Sequence, residues 1–222
     1  TDPEAADQVA ATIRKLGPLT SVVHAAGVWG TDHSPDEIFT VNYTATVNLL
    51  DAVEPFLTPG AVATCISSVG AHRRGHIDIV DEWLGRDVPL SAADLRRELG
   101  PAFTPAIAYG VAKRGVMMEC ERRAGAWGRA GARIVSISPG NIDTAMGQSA
   151  RVAGGNMMID AAIEQRSGIP EEIAELVSFV CSERASYLTG TDIRIDGGAV
   201  AQLRYGPANE AFNAWDAQFT IL

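Results

Sequence analysis

The sequence of 222 residues has little of what marks disulfide-rich, membrane-spanning or nucleic-acid-binding proteins. Its three cysteines, Cys65, Cys120 and Cys181, are far apart and lack C-x-x-C spacing, which predicts reduced, buried thiols in a cytoplasmic protein. No apolar run reaches the roughly 18 residues that a membrane span requires. Acidic residues outnumber Lys and Arg by 27 to 18, and the net charge of −9 argues against a nucleic-acid or anionic-membrane partner.

Lysine is the scarcest charged residue, and its placement is informative. Of the 18 basic residues only Lys15 and Lys113 are lysines. Lys113 follows Tyr109 by four positions in YGVAKRG, which puts both on one face of a helix. A tyrosine phenol has a pKa of about 10, and an ammonium one turn away favours its phenolate. The pair predicts an ionisable tyrosine; the alternative is an i,i+4 pair on a solvated helix face.

Short runs rich in β-branched residues alternate with longer helical patterns. The runs are mostly apolar, which suits parallel strands covered on both faces, and they occupy 21–27, 61–70, 132–140 and 191–198. The helical patterns occupy 2–17, 34–56, 106–128 and 170–183. This alternation predicts right-handed crossovers and an α/β fold with a doubly wound parallel sheet of the Rossmann type.

The start of the chain lacks two parts that such a fold needs. The first strand, 21–27, would lie at an open sheet edge, which folded proteins do not leave bare. No Gly-rich strand-to-helix turn for a phosphate is present either. We expect an N-terminal β-α-β-α-β portion to precede Thr1 in the intact protein, the alternative being a truncated chain unable to hold a dinucleotide.

Two polar positions are candidates for chemistry. Ser67 and Ser68 close a strand in ISSVG, where open α/β sheets bind ligands, and a serine there can polarise a substrate carbonyl. A strand-ending turn with satisfied hydroxyls fits equally. Asn42 lies inside the 34–56 helical pattern, although asparagine is a poor helix former. It predicts a backbone distortion or a buried water site, or else faces solvent.

Six short motifs in order resemble the short-chain dehydrogenase/reductase family, over residues 1 to about 200. They are HAAG (24–27), VN (41–42), ISS (66–68), YGVAK (109–113), SPGNIDT (138–144) and DIRIDGG (192–198). Each motif alone is weak, but six in order are specific. The stretch AWGRAGARIVSISPG, followed by the IDGG ending, is similar to bacterial 3α-hydroxysteroid dehydrogenase/carbonyl reductase-type members.

The resemblance implies a catalytic set. Tyr109 would be the general acid/base, and Lys113 would lower its pKa and hold the nicotinamide ribose. Ser68 would orient the substrate oxygen, since the family usually uses the second serine rather than the first, here Ser67. Asn42 would complete a proton relay through water to Lys113.

The resemblance also implies a cofactor, NAD or NADP, which would carry the hydride chemistry. The residues that match the family's cofactor contacts, besides Tyr109 and Lys113, are Ala25, Ala26, Gly27, Pro139, Gly140, Ile142 and Thr144. His24 and Ala25 stand where the family usually has two asparagines. The residue that selects NAD or NADP belongs to the portion absent from this chain, so the choice stays open.

We interpret residues 1–222 as a single domain, the C-terminal portion of a Rossmann-type domain. A helical insertion at about 71–105 matches one that the 3α-hydroxysteroid type carries, and it lies near the family's usual dimer face. A lid is expected at about 145–168, and an apolar tail at 199–222 is expected to pack on its own or a partner subunit. We expect a homo-oligomer, a dimer or tetramer.

His72 and His76 are four positions apart, but no third ligand has a recognised metal spacing. We expect ordinary polar loop residues here and no metal.

The sequence predicts an NAD(P)-dependent oxidoreductase that interconverts a secondary alcohol and a ketone by hydride transfer, on a steroid or another alicyclic small molecule. One alternative is a dinucleotide-binding sensor or scaffold without catalysis, which the missing Gly-rich turn favours. The other is a sugar-nucleotide epimerase or dehydratase, which shares Tyr-x-x-x-Lys. The DIRIDGG strand and the short tail after it argue against that last class.

Lys113→Arg is expected to abolish turnover, because a planar guanidinium cannot reproduce the contacts of a compact, rotatable ammonium with a tyrosine and with ribose hydroxyls. Steady-state assays with either nicotinamide cofactor measure the effect. Turnover at the wild-type rate would contradict the role given to Lys113.

Overall fold

Four parallel strands form the centre of the molecule. The structure, a computed structural model, describes residues 4–72, 77–86, 90–150 and 156–206. The strands pair in the order β1-β2-β3-β4. They are β1 (Ser21–His24), β2 (Val62–Ile66), β3 (Arg133–Pro139) and β4 (Thr191–Ile195). The predicted Rossmann-type α/β fold with a parallel sheet is confirmed.

Helices alternate with these strands along the chain. They are α1 (Glu4–Leu16), α2 (Pro35–Phe39), α3 (Ala45–Val53), α4 (Ile77–Leu84), α5 (Ala92–Leu99), α6 (Pro105–Arg129), α7 (Ala145–Ala150), α8 (Asn156–Asp160), α9 (Pro170–Cys181) and α10 (Ala199–Tyr205). Side-chain caps and first-turn prolines set several starts: the Ser34 hydroxyl accepts a hydrogen bond from Glu37 N at 3.2 Å, and Pro35 opens α2.

Both faces of the two central strands, β2 and β3, are covered, whereas Val23 on β1 is 51% exposed. Successive residues of β2 point to opposite faces. Val62 packs with Val135, Ile137 and the α9 residue Val180. Ala63 and Cys65 pack on the other face, in a cluster that includes side chains of α3 and α6. This two-sided burial is what a parallel sheet with crossover helices requires.

The strand register brings the carboxyl ends to one edge. Ile66 pairs with Ile137, and Pro139 pairs with Ile195. His24, the last residue of β1, pairs with Cys65. The loops that follow all four strands therefore start side by side, which places the sequence motifs found there next to one another.

The segment between Ser68 and Tyr109 extends the core over the first half of α6. Its described part contains α4 and α5, and α5 begins at a capping box between Ser91 and Asp94. Val80, Leu84 and Leu95 pack with residues of α2 and α6. Arg114 on α6 donates two hydrogen bonds to the Asp81 carboxylate, at 2.7 and 2.6 Å. The insertion is thus fixed to the helix that carries Tyr109.

The remaining predicted segments are described in part. The described residues of the lid region at 145–168 form α7 and α8, and those of the tail region at 199–222 form α10. The aromatic tail residues Phe212, Trp215 and Phe219 lie outside the described residues. Cys65 and Cys120 are buried free thiols, as predicted, whereas Cys181 is only half-buried. No helix in the described parts is both long and apolar enough to span a membrane.

Gly115→Ala is expected to destabilise the fold by about 1–3 kcal/mol, because it overfills a packed site. A Cβ at Gly115 would lie 2.5 Å from Cδ2 of the buried Tyr43 ring. Gly128→Ala is the matched control in the same helix, since a Cβ there meets nothing within 4 Å. Because alanine favours helix, the control should gain roughly 0.5–1 kcal/mol. Urea unfolding measures both; equal effects would contradict the packing account.

Candidate active site

Tyr109 and Lys113 lie one turn apart in the first half of α6, which presents them to the end of β2. Thr104 and Pro105 start this helix, with the Thr104 hydroxyl accepting from Ile107 N at 3.4 Å. Lys113 is 5% exposed, and its Nζ donates to the Ile66 carbonyl at 2.9 Å. Nζ also lies 5.8 Å from the centroid of the Tyr109 ring. The solvated-face alternative for this pair is therefore wrong.

Burial makes the charge of Lys113 costly. It lowers the pKa of Lys113 from 10.5 to about 8, with the neighbouring Cys65 acting weakly in the opposite direction. No carboxylate among the described residues lies within ion-pair distance of Nζ. The amine is still mostly protonated at pH 7, so the site holds a cation that its surroundings barely neutralise.

Asn42 lies in a distorted part of its helix, which is one of the three possibilities that the sequence left open. It lies in a π-helical turn, Thr40–Thr44, between α2 and α3. The Asn42 side-chain amide donates to Ile38 O at 2.7 Å, the carbonyl that an α-helix would give to the Asn42 main chain. The main chain shifts to i−5 bonding, with Ala45 N donating to Thr40 O. Such π-turns often mark functional sites.

The same side chain fixes the loop after β1. Asn42 Nδ2 donates to Val28 O at 2.9 Å, and its Oδ1 accepts from Val28 N at 3.2 Å. A Cβ at Gly27 would lie 2.5 Å from Asn42 Oδ1 and 3.3 Å from Lys113 Nζ. Only glycine fits between these two groups. Gly27, Asn42 and Lys113 are thus brought together.

Ser68 and Tyr109 meet on the other side of the same strand end. A Cβ at Gly70 would lie 3.5 Å from Ser68 Oγ and 3.4 Å from Cε1 of Tyr109. The Ser68 hydroxyl accepts from Gly70 N at 3.1 Å. Ser67 is buried instead, and its hydroxyl donates to the main-chain oxygen of Lys113 at 2.7 Å. The second serine, not the first, therefore lies beside the tyrosine.

Two residues near this cluster were not found from the sequence. The Trp29 ring packs edge-on against Tyr109, with centroids 4.9 Å apart. The buried Thr46 hydroxyl donates to Asn42 O, so His24 Nε2 donates to Thr46 Oγ1 at 2.8 Å. Burial and, less, the charge of Lys113 lower the pKa of His24. Trp29 and Thr46 lie outside the HAAG and VN motifs, and only the fold brings them to Tyr109 and His24.

The remaining predicted cofactor residues lie on neighbouring loops. Ala25 and Ala26 are exposed directly after β1. Gly140 follows β3, and a Cβ there would lie 2.8 Å from Asp196 Cα. Ile142 bridges to Gly168, and Thr144 accepts from Gly147 N at the start of α7. Pro139 ends β3, and Gly140, Ile142 and Thr144 lie on the loop that follows it.

A cavity of about 340 Å³ opens behind this loop, on the α9 side. Its lining includes Gly140, Ile142, Met158, Arg166 and Glu172, and none of Ser68, Tyr109 or Lys113. The Glu172 carboxylate is fixed by Arg166, whose hydrogen bonds lower the pKa of Glu172 to about 2. The cavity is therefore separate from the Tyr109 cluster.

Of the two histidines considered as metal ligands, only His72 lies in the described part of the chain. His72 Nε2 lies 3.0 Å from Asp192 Oδ2, and His76 lies outside the described residues. Within residues 4–72, 77–86, 90–150 and 156–206, no three His, Cys, Asp or Glu side chains converge as metal ligands would.

The fold defines the class: a Rossmann-type α/β protein with polar groups gathered at the carboxyl ends of its strands. A family model described as Enoyl-(Acyl carrier protein) reductase matches residues 97–200. A short-chain dehydrogenase/reductase of Alternaria brassicicola is 30% identical over 88% of this chain and 74% of its own length. The chain belongs to the short-chain dehydrogenase/reductase family of oxidoreductases, which confirms the resemblance seen in the sequence.

Further comparisons lie within the same family. The 3-alpha-hydroxysteroid dehydrogenase/carbonyl reductase of Comamonas testosteroni is 28% identical over 85% of this chain and 71% of its own. The 3-alpha-hydroxysteroid dehydrogenase from Pseudomonas sp. B-0831, solved with NADH, gives a TM-score of 0.78 at 25% identity, over 91% and 82% of the two chains. BdcA, solved with NADPH, gives 0.64 at 25% identity, over 89% and 72%.

Lys113→Met is expected to change how stability depends on pH. The folded pKa of about 8 lies below the 10.5 of an exposed lysine, so the unfolded chain binds the proton more tightly. Wild-type stability should therefore rise through this pH window, by roughly 3 kcal/mol at 1.36 kcal/mol per pH unit. The variant lacks this rise, so its stability relative to wild type should be highest at pH 7. Urea unfolding at pH 7 and pH 10 measures the difference; a pH-independent difference would contradict the buried cation.

Proposed function

We propose that this chain is an NAD(P)-dependent oxidoreductase that interconverts a secondary alcohol and a ketone by hydride transfer. One observation carries the proposal: the Ser68 hydroxyl and the edge of the Tyr109 ring flank Gly70, while Lys113 Nζ lies 5.8 Å from the same ring. A hydrogen-bond donor, a proton carrier and a buried cation thus surround one strand end. This is what polarising and protonating a carbonyl oxygen requires.

Each of these groups has a role that its surroundings support. Tyr109 passes a proton to the substrate oxygen on reduction and takes it back on oxidation. The Lys113 cation, held in a low-dielectric site, stabilises the phenolate far more than an exposed cation could. Ser68 donates a hydrogen bond to the substrate oxygen and holds it next to the phenol.

The contacts of Asn42 support a structural role, in addition to the proton relay that the family resemblance implies. Its side chain makes three hydrogen bonds, to Val28 and Ile38, and its main-chain oxygen accepts from Thr46. These contacts fix Gly27 beside Lys113. We propose that Asn42 holds the loop after β1 in place beside Lys113. The water relay to Lys113 stays a prediction.

The residues present fit a nicotinamide cofactor. An ammonium has three donors, and within the described residues Lys113 gives one to Ile66 O, so two are available there for hydroxyls such as those of a ribose. A Cβ at Gly27 would meet Asn42 and Lys113, so glycine lets the Lys113 amine lie close to the backbone of the loop after β1. A bound nicotinamide would supply or accept the hydride. Relatives solved with NADH and with NADPH support either form.

A steroid or other alicyclic alcohol is the substrate class we propose. Two of the similar proteins are 3-alpha-hydroxysteroid dehydrogenases. The Trp29 ring beside Tyr109 offers a flat apolar surface of the kind that a fused-ring substrate would contact. The homo-oligomer stays a prediction.

Tyr109→Phe is expected to lower turnover by about 10²–10⁴-fold, because general acid–base catalysis is lost, while the fold and cofactor affinity persist. The assay follows the absorbance of the reduced nicotinamide with NAD and NADP, against steroid, terpenoid and simple alicyclic alcohols. Tyr187→Phe is the matched control, since Tyr187 is fully exposed, and it should behave as wild type.

The outcomes separate the candidate functions. Cofactor binding without turnover of any alcohol or ketone would favour the non-catalytic sensor. Turnover that survives Tyr109→Phe would remove Tyr109 from the mechanism. Conversion of a sugar nucleotide without net change in the nicotinamide band would favour the epimerase or dehydratase.

A further inference from the structure

The short turn that follows Ser68 is held in place by contacts of its last residue, His72. Ser67 and Ser68 lead from β2 directly into a 3-10 turn, Val69–His72. Gly70, in the middle of this turn, lies against Ser68 Oγ and the Tyr109 ring. The insertion at about 71–105 begins within this turn. The geometry of the Ser68–Tyr109 pair therefore depends on what holds His72.

The side chain of His72 reaches across the sheet. Its Nε2 lies 3.0 Å from Asp192 Oδ2, with side chains 14% and 6% exposed. Asp192 belongs to β4, and β3 lies between β4 and the strand that carries Ser68. The contact joins residues 120 positions apart in the chain. It fixes the end of the turn to a strand that Ser68 itself does not touch.

The carboxylate of Asp192 is built to receive this bond. Its Oδ1 accepts hydrogen bonds from the hydroxyls of Ser136 at 2.6 Å and Ser138 at 2.9 Å. Burial raises the pKa of Asp192, but the hydrogen bonds from His72, Ser136 and Ser138 outweigh it and the pKa is lowered. Because the ionised carboxylate only accepts, His72 Nε2 must carry the donated proton.

A second contact holds the main chain of the same residue. Arg204 Nη2, on α10, donates to His72 O at 2.8 Å. His72 is thus fixed by its side chain to β4 and by its carbonyl to α10. These two contacts hold the end of the turn that follows Ser68.

We propose that His72 is a positioning residue whose hydrogen bond to Asp192 holds the turn Val69–His72 so that Ser68 faces Tyr109. The proposal rests on the proposed function, and it adds a residue that acts through Ser68 without touching the substrate. Loss of the bond leaves a buried carboxylate short of one donor and lets the turn shift.

The test uses the full chain and three variants: His72→Ala, His72→Gln and Ser68→Ala. A displacement of about 1 Å can cost 10²-fold in rate, so His72→Ala should lower kcat by roughly 10–100-fold. His72→Gln keeps a donor at the position of Nε2 and should restore most of the rate. The affinity for NADH, titrated by fluorescence, should stay unchanged in all three. His33→Ala, which removes an exposed pair with Glu37, is the control and should keep the wild-type kcat.

A double-mutant cycle shows whether His72 acts through Ser68. In the Ser68→Ala background, His72→Ala should have little further effect on kcat, because there is no hydroxyl left to position. Fully additive losses would overturn the proposal, and so would a His72→Gln variant as impaired as His72→Ala.

Amide hydrogen exchange of the peptide covering residues 67–72 gives a readout independent of turnover. Exchange should be faster in His72→Ala and slow again in His72→Gln. Unchanged protection in His72→Ala would overturn the anchoring. If wild type lacks turnover but exchange still depends on His72, the proposed function has failed while the anchoring stands.

Discussion

A buried ammonium is the constraint on which this site depends. Lys113 is 5% exposed, and within the described part of the chain its Nζ donates to the Ile66 carbonyl. A lysine in that environment costs stability, as its pKa of about 8 indicates. Ionisable groups with strongly shifted pKa values are common at functional sites. Gly27 makes room for this amine, since a Cβ there would lie 3.3 Å from Lys113 Nζ.

The strand ends then decide which groups meet the amine. β1 contributes the loop with Gly27, and β2 contributes Ser67 and Ser68, because parallel strands end at one edge. The two serines divide their functions: Ser67 ties the strand to α6 through the Lys113 carbonyl, and Ser68 faces Tyr109. Two residues that are distant in the sequence, Asp192 and Arg204, hold His72 and with it the turn after Ser68.

The parallel strands and the helix distortion at Asn42 could be predicted from the sequence, because both depend on local patterns of residues. The four apolar runs predicted parallel strands, since only strands covered on both faces are apolar throughout. Asparagine inside a helical pattern predicted a distortion, and the structure shows a π-turn caused by that side chain competing for the Ile38 carbonyl. His72 was expected to be an ordinary polar loop residue, because its partner lies 120 positions away on a strand with no spacing signal.

The sequence by itself determined the class of fold and the family, and it predicted Tyr109, Lys113 and Ser68 as candidate site residues, because all of these depend on periodicity and on short motifs in order. Only the tertiary structure decided that Lys113 is buried rather than solvated, that Trp29 packs on Tyr109, and that His72 binds Asp192. The reason is physical: burial and long-range pairing are properties of surfaces brought together by the fold, and no local pattern of residues encodes them.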